Sequence, residues 1–122
     1  MNIAYKKSLI STEPAAHRAR AIVEGVTIAD SADALILHEA GHAPVLYFPL
    51  ADVVSGMLVP TAHASSCPLK GDANYYSIRL PSGRVVENAV WQYAHPKKGL
   101  PELADRVAFY PHLVRLVTGE TT

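Results

Sequence analysis

The sequence predicts a mostly-β protein built from antiparallel sheets, and two observations support this fold class. Short runs rich in β-branched and aromatic residues recur along the chain, and turn residues separate them. No long segment shows the apolar period of an amphipathic helix. The 122 residues suffice for one domain with one core. Many short strands at this spacing are typical of an antiparallel sandwich or barrel.

The chain begins with a polar segment and then enters its first hairpin. Residues 1–18 are polar and are interrupted by a proline, so we expect an N-terminal arm there. Residues 19–118 are expected to form the single domain, and residues 119–122 a C-terminal tail. Within the domain, Glu24-Gly25 separates two apolar runs, which predicts a tight hairpin turn.

The remaining elements follow from the same alternation of apolar runs and turn residues. Asp52 and Val53 are expected to open a short helical turn. Residues 100–105 predict a short helix, because Pro101 lies in its first turn, where a missing N–H costs little. Residues 61–74 are rich in small residues and are interpreted as a long loop. The strands are predicted at 21–23, 26–29, 34–38, 45–48, 57–59, 75–80, 84–93, 107–110 and 113–117.

Composition excludes several classes of function. The chain is 49% hydrophobic and 18% charged, as in ordinary globular proteins, and its formal net charge is zero. A nucleic-acid or anionic-membrane binder normally carries a positive excess, so we expect neither partner. The single cysteine cannot form an internal disulfide or a cysteine-rich zinc site. Without an apolar run after the first lysines, we expect no secretory signal and a cytoplasmic location.

One short motif suggests zinc chemistry, but its context is unfavourable. His38-Glu39-Ala40-Gly41-His42 matches HExxH, which binds zinc when a helix places both histidines on one face. Here an apolar run typical of a strand precedes the motif, Gly41 weakens a helix, and Pro44 would interrupt it. We therefore interpret the motif as the end of a hairpin and disfavour a zinc-dependent hydrolase. No metal or other cofactor is predicted.

A second constellation is chemically more suggestive. Lys70 follows Cys67 by three residues, so a curled loop would let its ammonium stabilise the thiolate. Trp91 and Tyr93 are two residues apart on one predicted strand and therefore share a face, where they would wall a pocket. The alternatives stay open: Cys67 as a small buried hydrophobe, Trp91 as a core residue, and Lys70 as a solvated turn residue. Glu87 interrupts the same strand, and an inward orientation would require a partner.

Four ordered segments of the chain form a recognisable set. They are APVLYFP at 43–49, CPLKG at 67–71, ENAVWQY at 87–93 and VAFYP at 107–111. Together they resemble the bacterial and fungal family catalogued as domain of unknown function 427, across about residues 20 to 117. The resemblance implies a β-tent, in which two antiparallel sheets are splayed open. Members sometimes carry a nucleotidyltransferase label, but the Gly-Ser and paired-aspartate pattern of such an enzyme is missing here.

These observations lead to one preferred function and one rival. The preferred function is the binding of a small molecule in a pocket between the sheets, with catalysis left open. Cys67 and Lys70 are the candidate catalytic residues at its mouth. The rival is a non-enzymatic interaction module, which docks a protein or a second copy of the chain as a homodimer. The predicted ligand-binding residues are Tyr47, Tyr75, Glu87, Trp91 and Tyr93.

Overall fold

The computed structural model describes residues 9–119, which form ten strands and two 3₁₀ turns. The 3₁₀ turns are Leu50–Asp52 and Pro101–Leu103. Among these residues no helix has the length and apolar character needed to cross a membrane. The strands are β1 (Ile10–Pro14), β2 (Ala19–Val23), β3 (Val26–Ser31), β4 (Leu35–Glu39), β5 (Val45–Pro49), β6 (Leu58–Cys67), β7 (Gly71–Arg79), β8 (Val85–Gln92), β9 (Arg106–Phe109) and β10 (Arg115–Thr118).

The strands form two antiparallel sheets that do not close into a barrel. The larger sheet has seven strands in the order β1-β4-β5-β9-β8-β7-β6, and the smaller sheet has the order β10-β2-β3. In the larger sheet, β6 to β9 are consecutive in sequence and form a meander. Within residues 9–119 the strand pairing between this meander and the β1-β4-β5 half is confined to β5 and β9, where Phe48 pairs with Val107 and Pro49 with Arg106. The prediction of a mostly-β fold with two antiparallel sheets and short helical turns is confirmed.

The two faces of the larger sheet carry different side chains, because successive residues of a strand point to opposite faces. Phe48 and Val90 face the smaller sheet and belong to a first core of aliphatic residues and phenylalanines. Their neighbours Tyr47 and Trp91 point the other way, into a second cluster that includes no residue of the smaller sheet. We call this second face the aromatic face. It comprises Ile10, Leu35, Leu37, Val45, Tyr47, Cys67, Ala73, Tyr75, Trp91, Tyr93, Ala108 and Tyr110, with Leu100 and Leu103 packed over it.

The larger sheet curls around the aromatic face. The Nζ atom of Lys70, in the β6–β7 turn, lies 2.6 Å from Oε1 of Glu39 at the end of β4. Three strands separate β4 from β7 in the sheet order, and neighbouring strands lie about 4.8 Å apart, so these side chains would not meet across a flat sheet. The aromatic face is therefore concave.

Two parts of the chain differ from the sequence-based expectation. The predicted loop at residues 61–74 is wrong, because β6 continues to Cys67 and β7 begins at Gly71. This outer strand has one neighbour and mostly exposed small residues, so it lacks the apolar alternation that identifies a half-buried strand. Part of the expected arm, Ile10–Pro14, pairs with β4. Residues 1–8 of that arm and 120–122 of the tail lie outside the described residues.

The predicted hairpin at Glu24-Gly25 is present. Both residues have positive φ angles, 51° and 77°, as a type I′ turn requires. This turn joins β2 to β3, whose buried alanines and Ile28 close the first core from the side of the smaller sheet.

Candidate functional site

Strand register places several aromatic residues in one row across the concave face. Tyr75 of β7 pairs with Trp91 of β8, and Trp91 pairs with Ala108 of β9. The pairing of Phe48 with Val107 sets Tyr47 beside Ala108 on the next strand. Because Ala108 is small, the Tyr47 and Trp91 rings approach across it, with centroids 6.4 Å apart and planes nearly perpendicular.

The aromatic residues are linked by hydrogen bonds as well as by packing. The indole Nε1–H of Trp91 donates to the hydroxyl of Tyr47 at 3.2 Å. The Tyr75 and Tyr110 hydroxyls lie 3.3 Å apart, and Tyr75 also bonds Oγ of Ser65 at 2.9 Å. The Tyr110 ring lies 4.5 Å from the Trp91 ring. The row is therefore a polar aromatic network rather than a purely apolar cluster.

The Tyr93 hydroxyl differs from the other hydroxyls of this face. The residue is only 7% exposed, yet its hydroxyl forms no hydrogen bond with any described residue. No enclosed side-chain nitrogen or oxygen within residues 9–119 lacks a partner, so this hydroxyl stays in contact with solvent. Tyr93 is therefore a largely buried residue whose hydroxyl reaches solvent and is not used by the described residues.

Burial also controls the ionisation of these tyrosines. Burial raises the pKa of Tyr47 to about 12, although the hydrogen bond from Trp91 opposes this shift. Burial and the hydrogen bond with Tyr75 raise the pKa of Tyr110 to about 12. Burial likewise raises the pKa of Tyr93, with smaller contributions from Tyr47, Cys67, Tyr75 and Glu39. All three phenols are therefore neutral hydrogen-bonding groups at physiological pH.

The two candidate catalytic residues lie at one end of the aromatic face. Cys67 is half-buried against the cluster. The Lys70 ammonium is held by Glu39, each side chain being 14% exposed, and it lies 5.8 Å from the centre of the Tyr93 ring. The sequence suggested that Lys70 would stabilise a Cys67 thiolate, but its charge is instead neutralised by a carboxylate. Lys70 therefore holds the curl of the sheet.

The aromatic face brings together most of the predicted ligand-binding residues. Tyr47, Tyr75, Trp91 and Tyr93 all belong to it. Its location differs from the expected one, since it lies on the side of the larger sheet that faces away from the smaller sheet, not between the sheets. Glu87 does not join the set. Its side chain is exposed on β8, next to Asn88, whose positive φ of 49° marks an irregularity of that strand.

The HExxH motif lies at a strand end, as the sequence predicts, and not on a helix. His38 and Glu39 are the last two residues of β4 and point to opposite faces. His38 Nε2 lies 2.5 Å from Glu13, whereas Glu39 binds Lys70. His42 Nε2 lies 3.9 Å from the Glu39 carboxylate. Within residues 9–119 no group of three His, Cys, Asp or Glu side chains is arranged to hold a metal ion.

Sequence reasoning missed four residues of this site. His63 and Ser65 were concealed by the loop interpretation, although on β6 they share a face with Cys67 and contact Tyr75. Tyr110 was detectable, because it stands two residues after Ala108 in the predicted strand 107–110 and so shares a face with it. Glu39 was considered only as a zinc-site base, and its pairing with Lys70 depends on the curl of the sheet.

Comparison with known protein families gives one match. The family model described as "Domain of unknown function (DUF427)" matches residues 11–120. No curated protein matches the chain at a significant level. The matched range begins in the segment that forms β1 and includes every residue of the aromatic face except Ile10.

Proposed function

The chain belongs to the family described as domain of unknown function (DUF427), and on this premise we propose that its aromatic face binds a small molecule. The observation that carries the proposal is Tyr93, a residue only 7% exposed whose hydroxyl still reaches solvent and bonds no described residue. A ligand atom that bonds this hydroxyl would displace only water and would not have to break a hydrogen bond within the protein. Tyr93 is therefore the proposed polar anchor.

The outer part of the face supplies contact area for the same ligand. Trp91, Tyr110 and Cys67 are only partly buried, in contrast to Tyr47, which is enclosed. Aromatic side chains of this kind offer flat apolar surface, and offset or edge-on packing of ring systems is favourable. A planar ligand group would therefore stack on Trp91 or Tyr110 while a polar atom bonds Tyr93.

The charges of the side chains in the aromatic face limit the class of ligand that it can bind. The ammonium of Lys70 and the carboxylate of Glu39 neutralise each other at 2.6 Å. Burial raises the pKa of Tyr47 and Tyr110 to about 12 and also raises the pKa of Tyr93, so these three side chains are neutral phenols at physiological pH. An uncompensated charge on the ligand would have to be desolvated without a partner, which is costly. We therefore propose an uncharged ligand with a planar group and a hydrogen-bond acceptor or donor.

A thermal-shift panel with matched variants tests this proposal. Uncharged heterocycles and amides are compared with charged metabolites on the full chain, and a compound at about 100 times its dissociation constant should stabilise the fold by about 2.7 kcal/mol. We expect Tyr93→Phe and Trp91→Phe to abolish the shift given by an uncharged hit. Tyr76→Phe is the control, because Tyr76 packs against the first core and its hydroxyl bonds Gln92. A hit that survives both site variants would refute the assignment, as would a panel without hits.

A second candidate function rests on a different observation, the outer edge of β6. The exposed stretch Ala62–Ser66 contains no Asp, Glu, Lys, Arg or Pro, since the proline of β6, Pro60, lies before it; the opposite edge strand β1 carries Glu13 and Pro14. Charges and prolines normally protect sheet edges from pairing with another chain. We propose, as the alternative to ligand binding, that two copies pair through β6.

Sedimentation velocity over a range of protein concentrations tests the second candidate. We expect a dimer at high concentration that becomes monomeric in Ala64→Lys, because an edge lysine opposes strand pairing. Thr118→Lys places the same charge on an exposed position of β10 and should leave the dimer intact. A monomer throughout, or a dimer unaffected by Ala64→Lys, would argue against this interface.

A further inference from the structure

A groove separate from the aromatic face follows the end of β8. It has a volume of ≈ 520 Å³, within the range of small-molecule sites, and is lined by one continuous part of the chain between residues 94 and 104. Its apolar lining comes from Ala94, Pro96, Pro101 and Ala104. Its polar lining comes from three basic residues, His95, Lys97 and Lys98.

Contacts with the rest of the protein hold the backbone of this groove in place. The amide of Lys97 donates to the carbonyl of Lys70 at 2.9 Å. The side chain of the buried Gln92 donates to the carbonyl of Ala104 at 2.8 Å. Between these two points Leu100 and Leu103 are buried in the aromatic cluster. The groove is therefore preformed, so little conformational entropy would be lost when a ligand binds.

Gly71, at the start of β7, also lies close to the backbone of the groove. Gly71 has a φ of 115°, and a Cβ atom added there would lie 3.2 Å from the carbonyl oxygen of His95. The start of β7 therefore approaches the groove more closely than is usual for a residue with a side chain.

The side chains that line the groove carry positive charge and no negative charge. Within residues 9–119 the side chains of His95, Lys97 and Lys98 form no ion pair or hydrogen bond, and no aspartate or glutamate lines the groove. The nearby Glu102 is not part of the lining, and its carboxylate accepts a hydrogen bond from Thr12 at 2.6 Å. Since the whole chain has a formal net charge of zero, the positive charge here is a local feature.

We infer that this groove binds the phosphate group of a small organic phosphate ester. Two flexible lysine ammonium groups and an imidazole suit the several oxygens of a phosphate, to which lysine acts as a point charge. The prolines and alanines would receive the organic part of the ester. A nucleic acid is a poorer candidate, because its binding requires many phosphate contacts along an extended basic surface.

Titration of the uniformly ¹⁵N-labelled full chain with three probes tests this inference. The probes are phenyl phosphate, inorganic phosphate and phenol, and the amide signals of Gly99 and Ala104 report on the groove. We expect saturable shifts with both phosphates, tighter binding of phenyl phosphate because its ring covers the proline surface, and none with phenol. The double variant Lys97→Gln/Lys98→Gln should weaken phenyl phosphate binding about tenfold.

A matched variant separates local binding from general charge effects. Arg79→Gln removes an exposed cation elsewhere on the protein and should leave the affinity unchanged. The inference is overturned if neither phosphate gives saturable shifts at Gly99, or if the double variant binds as the wild type does. Equal affinity for inorganic and phenyl phosphate would overturn the ester as ligand class. Chemical shift changes centred on Trp91 would show that the phosphate binds at the aromatic face, and this result would also overturn the inference.

Discussion

The two faces of the seven-stranded sheet are both buried, but they are built from different side chains. The first core contains aliphatic residues and the perpendicular pair Phe48 and Phe109, with ring centroids 5.3 Å apart. The aromatic face contains four tyrosines and Trp91, whose hydroxyl and N–H groups need partners. The first core therefore stabilises the fold mainly through apolar packing, whereas the aromatic face combines packing with hydrogen bonds between its own side chains.

The faces also differ in how they are covered. The three-stranded sheet closes the first core with Ala19, Ala21 and Ile28, which are fully buried. The aromatic face is covered by the curl of its own sheet and by Leu100 and Leu103, and its outer residues remain partly exposed. A face closed by a second sheet has no access for a ligand, whereas a curled sheet leaves one side open.

Removing a phenylalanine from the first core should give the largest effect. Phe48→Ala leaves a cavity beside Phe109 at a position with no solvent exposure, so the free energy of unfolding should fall by about 3–5 kcal/mol. Urea denaturation followed by far-UV circular dichroism measures this loss. A loss as small as that of a surface substitution would mean that the first core is not the main source of stability.

Removing the ion pair that closes the aromatic face should give an intermediate effect. Lys70→Met leaves the Glu39 carboxylate without its 2.6 Å partner, which should lower the free energy of unfolding by about 1–3 kcal/mol. The double variant Glu39→Gln/Lys70→Met should recover part of this loss. Because Trp91 is the only tryptophan of the chain, its fluorescence reports directly on the opening of this face. Unchanged stability and emission in Lys70→Met would contradict the proposed role of the pair.

A smaller effect is expected for a hydroxyl that has a partner in the aromatic face. Tyr47→Phe removes the acceptor of the Trp91 Nε1–H at 3.2 Å, so the free energy of unfolding should fall by about 1 kcal/mol. The same denaturation experiment measures it. Tyr76→Phe provides the comparison on the other face, since the Tyr76 hydroxyl also has a partner, Gln92 at 2.7 Å.

The smallest effect is expected for Tyr93→Phe, because its hydroxyl bonds no described residue. At neutral pH the free energy of unfolding should change by less than about 0.5 kcal/mol. At high pH the variant should be the more resistant protein. Burial raises the pKa of Tyr93, so the stability that its neutral phenol provides is complete below the ordinary tyrosine pKa of about 10 and is lost as the pH rises above it.

Alkaline titration followed by Trp91 fluorescence checks the expected resistance of Tyr93→Phe at high pH. The midpoint of alkaline unfolding should lie at higher pH in Tyr93→Phe than in the wild type. Because phenylalanine cannot ionise, an unchanged or lower midpoint would show that the Tyr93 phenol is not protected from ionisation in the folded protein.

Local sequence patterns predicted the fold class and part of the candidate site, but they did not predict the contacts between distant strands. Glu24-Gly25 specifies its turn by residue type, and the spacing of Trp91 and Tyr93 places them on one face. The contact between Lys70 and Glu39 depends on the curl of the whole sheet, which no local pattern encodes. The position of the site away from the smaller sheet was missed for the same reason, because period-two alternation does not say which sheet covers which face.

The narrow connection between β5 and β9 has a consequence for how the site comes into being. The β4–β5 hairpin and the meander β6 to β9 each form through pairing of strands that follow one another, which closes only short loops. The pairing of Phe48 with Val107 must instead bring distant parts of the chain together, and such non-local contacts slow folding. Tyr47 belongs to one half and Trp91 to the other. A chain with both halves formed but this connection open would keep its hairpins, but the Tyr47 hydroxyl would no longer hold the Trp91 indole in place.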